Sequence, residues 1–379
     1  MANNNKHTGP NVPALRFPEF SGEWEQCQIK DFGKVITGST PPTSKTEYYD
    51  NGEFLWASPA DLGNVKDVVS TKTKLSQQGF DKCRKIPAHS ILVTCIGSTI
   101  GKMGMATTEM ATNQQINSII PIDCSPDYVY YSIQSRFPKY ITSIATQAVP
   151  ILSKSVFESL DSYKTSIEEQ NKIGKLLHLL DERIDAQSKI IEEQETLLRS
   201  LRHKIYSRVQ AQSQCTIADV LCYEQPTKYL VTDTDYTDDD SQVPVLTANK
   251  AFILGYTTEN FGIYDKGPCI ILDDFTLDCK YVDFKFKVKS SAIKILRAKA
   301  KTNLRFIFEY FRFLELNTTE HRRHYIAEIE PMSILLPSNE EIDRIACLFT
   351  ALDERLEVAR KELKILESQK MYMLQKMFI

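Results

Sequence analysis

Hydrophobic residues recur every three to four positions along two long stretches of the chain, and the distance between the stretches is constant. One stretch begins at Ser166 and the other at Ser338, so each residue of the first has a counterpart 172 positions later. Both contain the sequence Leu-Asp-Glu-Arg, at 180–183 and at 352–355, and both continue without a gap. A repeat with so long a period predicts two large half-molecules that end in the same element.

The repeated element is predicted to be a long helix that packs on its copy. A Ser-x-x-Glu sequence opens each copy, Ser166 to Glu169 and Ser338 to Glu341, as in a capping box. Mostly apolar positions then step by four and three, which is the spacing of a coiled-coil seam. Two unrelated amphipathic helices would not share this register. We predict an interface between the helices formed by Ile173, Leu177, Leu180, Ile184, Ile345, Phe349, Leu352 and Leu356.

The stretches that precede the two helices are expected to be globular and rich in β-strand. Turn sequences such as Asn51-Gly52 and Thr40-Pro41-Pro42 separate short apolar runs in the first of them. The Asn-rich N-terminus carries little apolar surface and is expected to be disordered. The predicted organisation is a disordered tail at 1–19, a globular domain at 20–165, a helix at 166–210, a second globular domain at 211–337 and a helix at 338–379.

The two globular segments resemble each other weakly, which predicts a common scaffold with different loops. Ile91-Leu92-Val93 and the polar loop after it correspond to Ile270-Ile271-Leu272 followed by Asp273-Asp274-Phe275-Thr276. The fold class is therefore α+β, with two mixed α/β domains joined by two long antiparallel helices in a coiled coil, as a pseudo-twofold repeat. Strands are expected at 86–96, 116–122, 269–272, 281–288 and 292–296, and helices near 128–134 and 304–316.

Composition limits the class of protein more than it identifies it. A chain of 379 residues is long enough for two domains, and a net charge of −3 does not by itself favour nucleic acid. The nine cysteines form no Cys-x-x-Cys pair, which favours reduced thiols in a cytoplasmic protein. A charged and apolar leader is absent, as is an apolar run near eighteen residues, so secretion and membrane insertion are disfavoured.

Several short motifs together are typical of one known family. The strongest are the doubled Leu-Asp-Glu-Arg and the sequence at the start of the first helix, Glu169-Gln170-Asn171-Lys172-Ile173. The remaining motifs are Gly22-Glu23-Trp24, Thr37-Gly38-Ser39-Thr40-Pro41, Ile91-Leu92-Val93-Thr94 with Gly97-Ser98-Thr99-Ile100-Gly101, and Asn113-Gln114-Gln115. On these motifs the chain resembles the specificity subunit of type I restriction–modification systems, over nearly the whole chain beyond the N-terminal tail.

The resemblance implies a non-catalytic subunit that recognises double-stranded DNA. Each globular domain would be a target-recognition domain for one half of a split, asymmetric site. The paired helices would hold the halves apart and dock two methyltransferase (modification) subunits, to which restriction subunits add. S-adenosylmethionine, ATP and Mg would be bound by those partners, with no cofactor in this chain. About 40 helical residues at roughly 1.5 Å each would make a rod of about 60 Å.

A basic stretch in the second segment is the best candidate for phosphate contacts. Between Lys280 and Arg305 there are nine lysines and arginines and one acid, Asp283. Phe284, Phe286 and Val288 alternate with lysines, as expected of a strand with one wet cationic face, although solubilising lysines on an ordinary strand give the same pattern. The candidate phosphate-contacting residues are Lys285, Lys287 and Lys289, with Lys82, Arg84 and Lys85 in the first segment.

Base recognition needs directed donors and acceptors, which polar loops supply. Loops of this kind follow predicted strands in both segments. The candidate base-contacting residues are Ser39, Thr40, Ser98, Thr99, Gln114 and Gln115 in the first segment, and Thr247, Asn249, Lys250, Asp274 and Thr276 in the second.

Signatures of catalysis or of metal binding are incomplete in this sequence. Gly97 to Met103 resembles a phosphate-binding loop but has one residue too few between its glycines. His321 and His324 lie one helical turn apart without a third ligand nearby in sequence, so no metal site is predicted. Two alternatives stay open: a self-contained DNA methyltransferase or nuclease with a degenerate site, and a coiled-coil scaffold that binds proteins.

Overall fold

Tertiary contacts divide the chain into two units of similar construction. In the computed structural model the first unit comprises Met1–Lys189 and Lys361–Ile379, and the second comprises Ile190–Arg360. The two long helices therefore each begin in one unit and end in the other. The structure describes residues 11–63, 65–144, 151–247, 251–299, 302–316, 318, 320 and 322–379.

The described residues of the first unit contain eleven strands and the start of the first long helix. The strands are β1 Glu25–Gln28, β2 Gly33–Thr37, β3 Phe54–Ala57, β4 Asp67–Val68, β5 Thr73–Leu75, β6 Lys85–Ile86, β7 Ile91–Thr94, β8 Met103–Ala106, β9 Met110–Thr112, β10 Ile116–Pro121 and β11 Asp161–Lys164. The helices are α1 Gln77–Phe80, α2 Pro126–Ile144, α3 Lys154–Glu158 and α4 Ile167–Tyr206, with 3-10 turns at Ile29–Phe32, Thr46–Tyr48 and Pro59–Asp61.

In the second unit, the part of the chain that the structure describes forms nine strands and the start of the second long helix. The strands are β12 Ser213–Thr216, β13 Leu221–Glu224, β14 Val243–Leu246, β15 Ile253–Thr257, β16 Cys269–Asp273, β17 Cys279–Val282, β18 Lys287–Val288, β19 Ile293–Ala298 and β20 Ser333–Leu336. The helices are α5 Ile217–Val220, α6 Leu304–Leu314 and α7 Asn339–Lys376, with a 3-10 turn at Pro226–Tyr229 and a π-helical turn at Tyr325–Ile329.

The sheets of the two units share one strand order, except that β4 and β6 of the first unit have no counterpart in the described part of the second, and this confirms the repeated scaffold. One sheet runs β2-β10-β7-β8-β4 in the first unit and β13-β19-β16-β17 in the second. The other sheet has one strand with a parallel neighbour and an antiparallel neighbour: β3 lies between β9 and β5, and β14 lies between β18 and β15. The strands β7 and β16, which the sequence predicted to be equivalent, therefore occupy equivalent positions in the two units.

A two-stranded ribbon leads into each long helix. Glu25 faces Lys164 in the first ribbon, and Ser213 faces Leu336 in the second, with the same antiparallel register. The Ser166 hydroxyl then accepts a hydrogen bond from the Glu169 amide at 3.3 Å, and Ser338 caps α7 in the same way. Only this half of the first predicted capping box forms, because the Glu169 carboxylate binds Arg16 instead.

Within each unit α4 and α7 run antiparallel and are joined by ion pairs. In the first unit Lys370 pairs with Asp181 at 2.5 Å, while Glu362, earlier in α7, lies 4.0 Å from Arg183, later in α4. In the second unit Arg360 pairs with Glu195 at 2.6 Å. Of the predicted seam residues, Ile173, Leu177, Leu180, Ile345, Phe349 and Leu356 are buried, and Ile184 and Leu352 are half-buried.

Several seam residues belong to the hydrophobic cores of the globular domains. In the first unit Ile173 and Leu177 join a core that includes Trp24 and Tyr128. In the second unit Phe349 joins a core around Phe306. In each unit, the segments of α4 and α7 therefore contribute side chains to the hydrophobic core of the domain. In the described part of the chain, no helix combines the length and the apolar character that a bilayer span requires.

Two expectations from the sequence are wrong. Residues 11–19 of the predicted disordered tail are held in place, since Arg16 binds Glu169 through two nitrogens and the Leu15 amide donates to the Lys376 carbonyl. Residues 1–10 lie outside the described residues. The strand predicted at 281–288 is two strands, β17 and β18, because the chain leaves one sheet after Val282 and joins the other at Lys287.

Candidate nucleic-acid interface

Three loops that the sequence places far apart meet at one end of the sheets in the first unit. The Thr40 hydroxyl, after β2, donates a hydrogen bond to the Gln114 side-chain carbonyl, between β9 and β10. The Ser39 hydroxyl accepts a hydrogen bond from the Arg84 amide, just before β6, at 3.0 Å. Four candidate residues of the sequence are thus brought together, in what we term the first-unit loop cluster.

The backbone of this cluster depends on a glycine and an indole. A Cβ atom on Gly38 would lie 2.1 Å from the carbonyl oxygen of Asn113, so only glycine allows the two loops to approach this closely. The Trp56 indole nitrogen donates to the Ser39 carbonyl at 3.1 Å. The Arg84 guanidinium donates to the Thr37 carbonyl at 2.8 Å, so part of its donor set already holds the strand end.

A fourth loop, between β7 and β8, carries Ser98 and Thr99 and adjoins the cluster through Gln115. The Gln115 amide nitrogen donates to the Ile96 carbonyl at 3.5 Å, and its side-chain oxygen accepts from Asn113 at 3.0 Å. Gln115 therefore positions the two loops, and its side chain is half-buried. The exposed candidates of the first unit are Thr40, Lys82, Arg84, Lys85, Ser98 and Gln114, and Ser39, Thr99 and Gln115 are half-buried.

Asp274, a candidate in the second unit, is a buried structural carboxylate, so the prediction that it contacts bases is wrong. Its Oδ1 accepts hydrogen bonds from the amides of Tyr325 at 2.8 Å and His324 at 3.2 Å. Its Oδ2 lies 3.2 Å from the buried ammonium of Lys294. These contacts occupy the carboxylate, and they attach the loop after β16 to the turn before the π-helix. Thr276 in the same loop is exposed.

Lys287 is likewise wrong as a phosphate contact, because it is completely buried. Its ammonium donates to the Phe261 carbonyl at 2.8 Å and pairs with Glu259. The pair with Lys287 lowers the pKa of the Glu259 carboxyl to about 2. The alternation of apolar and basic residues suggested that all three lysines share a wet face. The chain moves from one sheet to the other before Lys287, so the alternation of faces in the first sheet no longer predicts which way Lys287 points.

The rest of the basic stretch is only partly available to a ligand. Lys285 is exposed and lies 2.9 Å from Asp265, and Lys289 is exposed. Lys294 is buried against Asp274, and Arg305 pairs with Glu309 at 2.7 Å. Lys285 and Lys289 remain the candidate phosphate contacts of the second unit.

The Thr247 loop occupies a different place in the scaffold from the candidate loops of the first unit. Thr247 follows β14, whose counterpart is β3, and it is buried with its amide donating to the Phe252 carbonyl at 2.9 Å. Asn249 and Lys250 lie outside the described residues.

The histidine pair does not assemble a metal site in the described part of the chain. His324 is buried, with Nδ1 3.0 Å from the Glu328 carboxylate and Nε2 near Thr318 and the Glu320 carbonyl. The Glu320 carbonyl and then Glu328 raise the pKa of the His324 imidazole. His321 lies outside the described residues, and among those described no group of three or more His, Cys, Asp or Glu side chains is arranged to hold a metal ion.

The sequence analysis did not predict the ionic contacts that join helices to the globular domains. Lys66 lies 2.6 Å from Asp127 and 2.5 Å from a ring nitrogen of His178, although these partners are 61 and 112 positions away. Arg202 donates to Glu309 at 2.8 Å across 107 positions. Separations of this size leave no local periodicity that could point to the pairs.

With this geometry established, the first half of the chain can be compared with known proteins. Residues 21–196 match the family model of the type I restriction modification DNA specificity domain. This part of the chain is therefore similar to a type I DNA specificity domain. The resemblance inferred from the short motifs is thereby confirmed, and the matched residues include strands β1 to β11 and most of α4. The second unit repeats its strand order.

Curated relatives and a solved structure extend this comparison. The chain is 42% identical over 156 residues to the type I restriction enzyme EcoR124I/EcoR124II specificity subunit of Escherichia coli, covering 37% of this chain and 38% of that protein. It is 30% identical over 174 residues to the MjaIX specificity subunit of Methanocaldococcus jannaschii, covering 44% and 40%. The matches thus span less than half the length of these relatives.

The fold comparison covers much more of the chain. The S subunit of a type I restriction-modification system from M. genitalium superposes with a TM-score of 0.70, over 97% of this chain and 99% of that one, at 14% identity. This likeness shows that the chain has the fold of that S subunit.

Proposed function

We propose that this protein is the non-catalytic DNA-recognition subunit of a type I restriction–modification enzyme, and that each globular domain reads one half of a bipartite site. The observation that carries the proposal is that one scaffold occurs twice with different loops. The shared strands follow the same order in the sheets of both units. The loops differ: Ser98 after β7 is exposed, whereas Asp274 after β16 is buried and accepts a hydrogen bond from the Tyr325 amide. Two such domains would recognise two different half-sites.

In the first unit, the loop cluster has the chemistry for both kinds of DNA contact. The exposed side chains of Lys82, Arg84 and Lys85 would bind phosphates, which fixes position without reading sequence. Gln114 and Thr40 would face base edges, where an amide can pair with adenine through two hydrogen bonds. In the second unit Lys285, Lys289 and Thr276 are the exposed candidates for the corresponding roles.

The paired helices would dock two modification subunits, to which restriction subunits add, in a cytoplasmic complex. S-adenosylmethionine, ATP and Mg²⁺ would then be bound by those partners. This division of labour distinguishes the proposal from a self-contained methyltransferase. Binding of S-adenosylmethionine to the isolated chain, measured by calorimetry, would favour the methyltransferase. The proposal expects no binding until a modification subunit is present.

The decisive experiment exchanges one globular domain. Residues 20–165 are replaced by the same region of a relative, the chain is co-expressed with its modification subunits, and methylated sites are mapped across the host genome. We expect one half of the methylated sequence to change and the other half to stay as it was. A change in both halves, or in neither, contradicts the assignment of one half-site to each domain.

A finer experiment tests the loop cluster itself. Gln114→Ala should relax the sequence requirement at one base pair of one half-site, with a loss of about 1–3 kcal/mol in discrimination. Lys164→Ala serves as a control, because Lys164 pairs with Glu25 in the two-stranded ribbon and is not part of the cluster. If both variants leave the methylated sequence unchanged while the domain exchange alters it, the reading residues lie elsewhere in the first unit.

A further inference from the structure

The last turns of α4 and α7 are equivalent elements that dock on different units. Tyr206 and Phe378 are counterparts in the repeat, 172 positions apart. The Tyr206 ring packs on Phe306 with centroids 5.2 Å apart, and the Phe378 ring packs on Tyr128 at 5.6 Å. The repeat therefore continues into three dimensions, and each helix end fills the same place in its own unit.

At two positions of these helix ends, a cation and a leucine exchange places. Leu198 of α4 corresponds to Lys370 of α7, and one turn later Arg202 corresponds to Leu374. Each helix end thus has one apolar and one cationic residue, in opposite order. These four residues are here called the pairing determinants.

In the second unit the cationic determinant contacts an acidic residue and the apolar determinant lies in the hydrophobic core. Arg202, 4% exposed, donates to Glu309 at 2.8 Å, and Glu309 is completely buried. Arg305 donates to the other Glu309 oxygen at 2.7 Å, so the carboxylate is held between two guanidinium groups. Leu198, one turn earlier, is buried in the hydrophobic core of this unit.

In the first unit the match is reversed. Lys370 lies 2.5 Å from the Asp181 carboxylate, which also accepts a hydrogen bond from Tyr131. Leu374 is buried in the core with Trp24 and Tyr128. The cation that meets an acid here is therefore one turn earlier in the helix than it is in the second unit.

We propose that the pairing determinants make α4 pair with α7 and reject a second copy of the same helix from another chain. The shared heptad pattern would otherwise favour such self-pairing, since both helices present the same seam. If a second α4 replaced α7 in the first unit, Arg202 would occupy the apolar place of Leu374, and Leu198 would face Asp181. Arg202 would then be a buried cation without an acid, and Asp181 would be a buried carboxylate without Lys370. Both arrangements are strongly disfavoured.

The opposite error is disfavoured for the same reason. If a second α7 replaced α4 in the second unit, Leu374 would lie against Glu309 and remove one of its two cations. Lys370 would enter the buried place of Leu198. The chain is thereby kept as one molecule with two different halves, and it does not assemble as a dimer of like halves.

The experiment refolds two differently tagged copies of the full chain together. The copies are mixed in urea, refolded by dilution at high concentration, and the mixed-tag species is recovered through both tags in turn. In Arg202→Leu/Glu309→Met this charge pair is replaced by apolar groups of similar reach, and Arg305, which loses Glu309, keeps its ion pair with Asp353. We expect a several-fold larger mixed-tag fraction for this variant than for the wild type.

Leu198→Ala is the matched control, because it weakens the same helix contact and leaves the charge pair intact. It should lower the melting temperature without raising the mixed-tag fraction. Equal fractions in wild type and double variant overturn the proposal, as does an equal rise in the control. If the double variant does not refold, Arg202→Lys and Arg202→Met are compared: the methionine variant should give the larger mixed-tag fraction, and equal fractions contradict the proposal.

Discussion

The hydroxyl of Tyr131 donates a hydrogen bond of 2.7 Å to the carboxylate of Asp181, and both groups are buried. Tyr131 belongs to α2 of the globular domain and Asp181 to α4, so this bond joins the domain to the helix within the first unit. Lys370 of α7 pairs with the same carboxylate. Burial and the nearby Asp181 raise the pKa of Tyr131, so the hydroxyl stays protonated and can donate. One carboxylate therefore holds a domain and both helices.

Removing this hydroxyl should destabilise the first unit. We expect Tyr131→Phe to cost about 1.5–3 kcal/mol, because the bond is to a charged group. The control is Tyr128→Phe in the same helix, which loses a bond to the Tyr163 carbonyl and should cost about 0.5–1.5 kcal/mol. Urea unfolding of both variants measures the difference. A larger loss for Tyr128→Phe would contradict the role assigned to Asp181.

Substitutions along the helical seam should follow burial in the domain cores. Phe349→Ala should cost about 3–5 kcal/mol and Leu180→Ala about 2–5 kcal/mol, because each leaves a cavity at a buried site. Leu352→Ala should cost less than Leu180→Ala, because Leu352 is only half-buried. Thermal melting gives the ranking. An equal loss at Leu352 and Leu180 would mean that the helix pair alone, without the cores, sets stability.

The exposed lysines of the second unit should govern the salt dependence of DNA binding. Each phosphate contact contributes about −0.9 to the slope of log affinity against log salt. Lys285→Ala/Lys289→Ala should therefore flatten the slope by up to about 2 and weaken all sequences alike. Titrations of the full complex across salt concentrations measure it. An unaltered slope would show that these lysines only keep the surface soluble.

Lys287 should behave differently from its two neighbours. Lys287→Met should leave the salt slope unchanged and lower stability, because it leaves Glu259 in its pocket without the buried cation. Its effect is read from urea unfolding together with the same titrations. A change in slope like that of the exposed lysines would contradict its assignment as a structural residue.

Acid should weaken the second unit through Glu259. The folded protein holds the pKa of this carboxyl at about 2, below its ordinary 4.5, so the ionised form is favoured by folding. Its contribution to stability is therefore complete above about pH 4.5 and is lost as pH falls towards 2. Glu259→Gln should lower stability at pH 7 and flatten the acid limb of the stability profile. An acid limb identical to wild type would exclude this carboxyl as a source of the dependence.

The sequence by itself determined the elements that depend on local spacing. The heptad positions and the constant offset between Ser166 and Ser338 were sufficient to predict two paired helices at the ends of two like domains. The structure confirms them because a helix buries a face that its own periodicity defines. The first-unit loop cluster was partly predicted as well, since Ser39, Thr40, Arg84 and Gln114 were candidates, although nothing in the sequence shows that they meet.

The tertiary structure alone decided which polar residues are free to act. Lys287 and Asp274 have side chains that can contact DNA, yet each is buried in an ion pair with another residue of the same unit. Whether a charged side chain faces solvent or a buried partner depends on where the chain changes sheets, as it does between Val282 and Lys287. The pairing of Arg202 with Glu309 is of the same kind. A periodic pattern specifies the face of an element, and only packing specifies what that face meets.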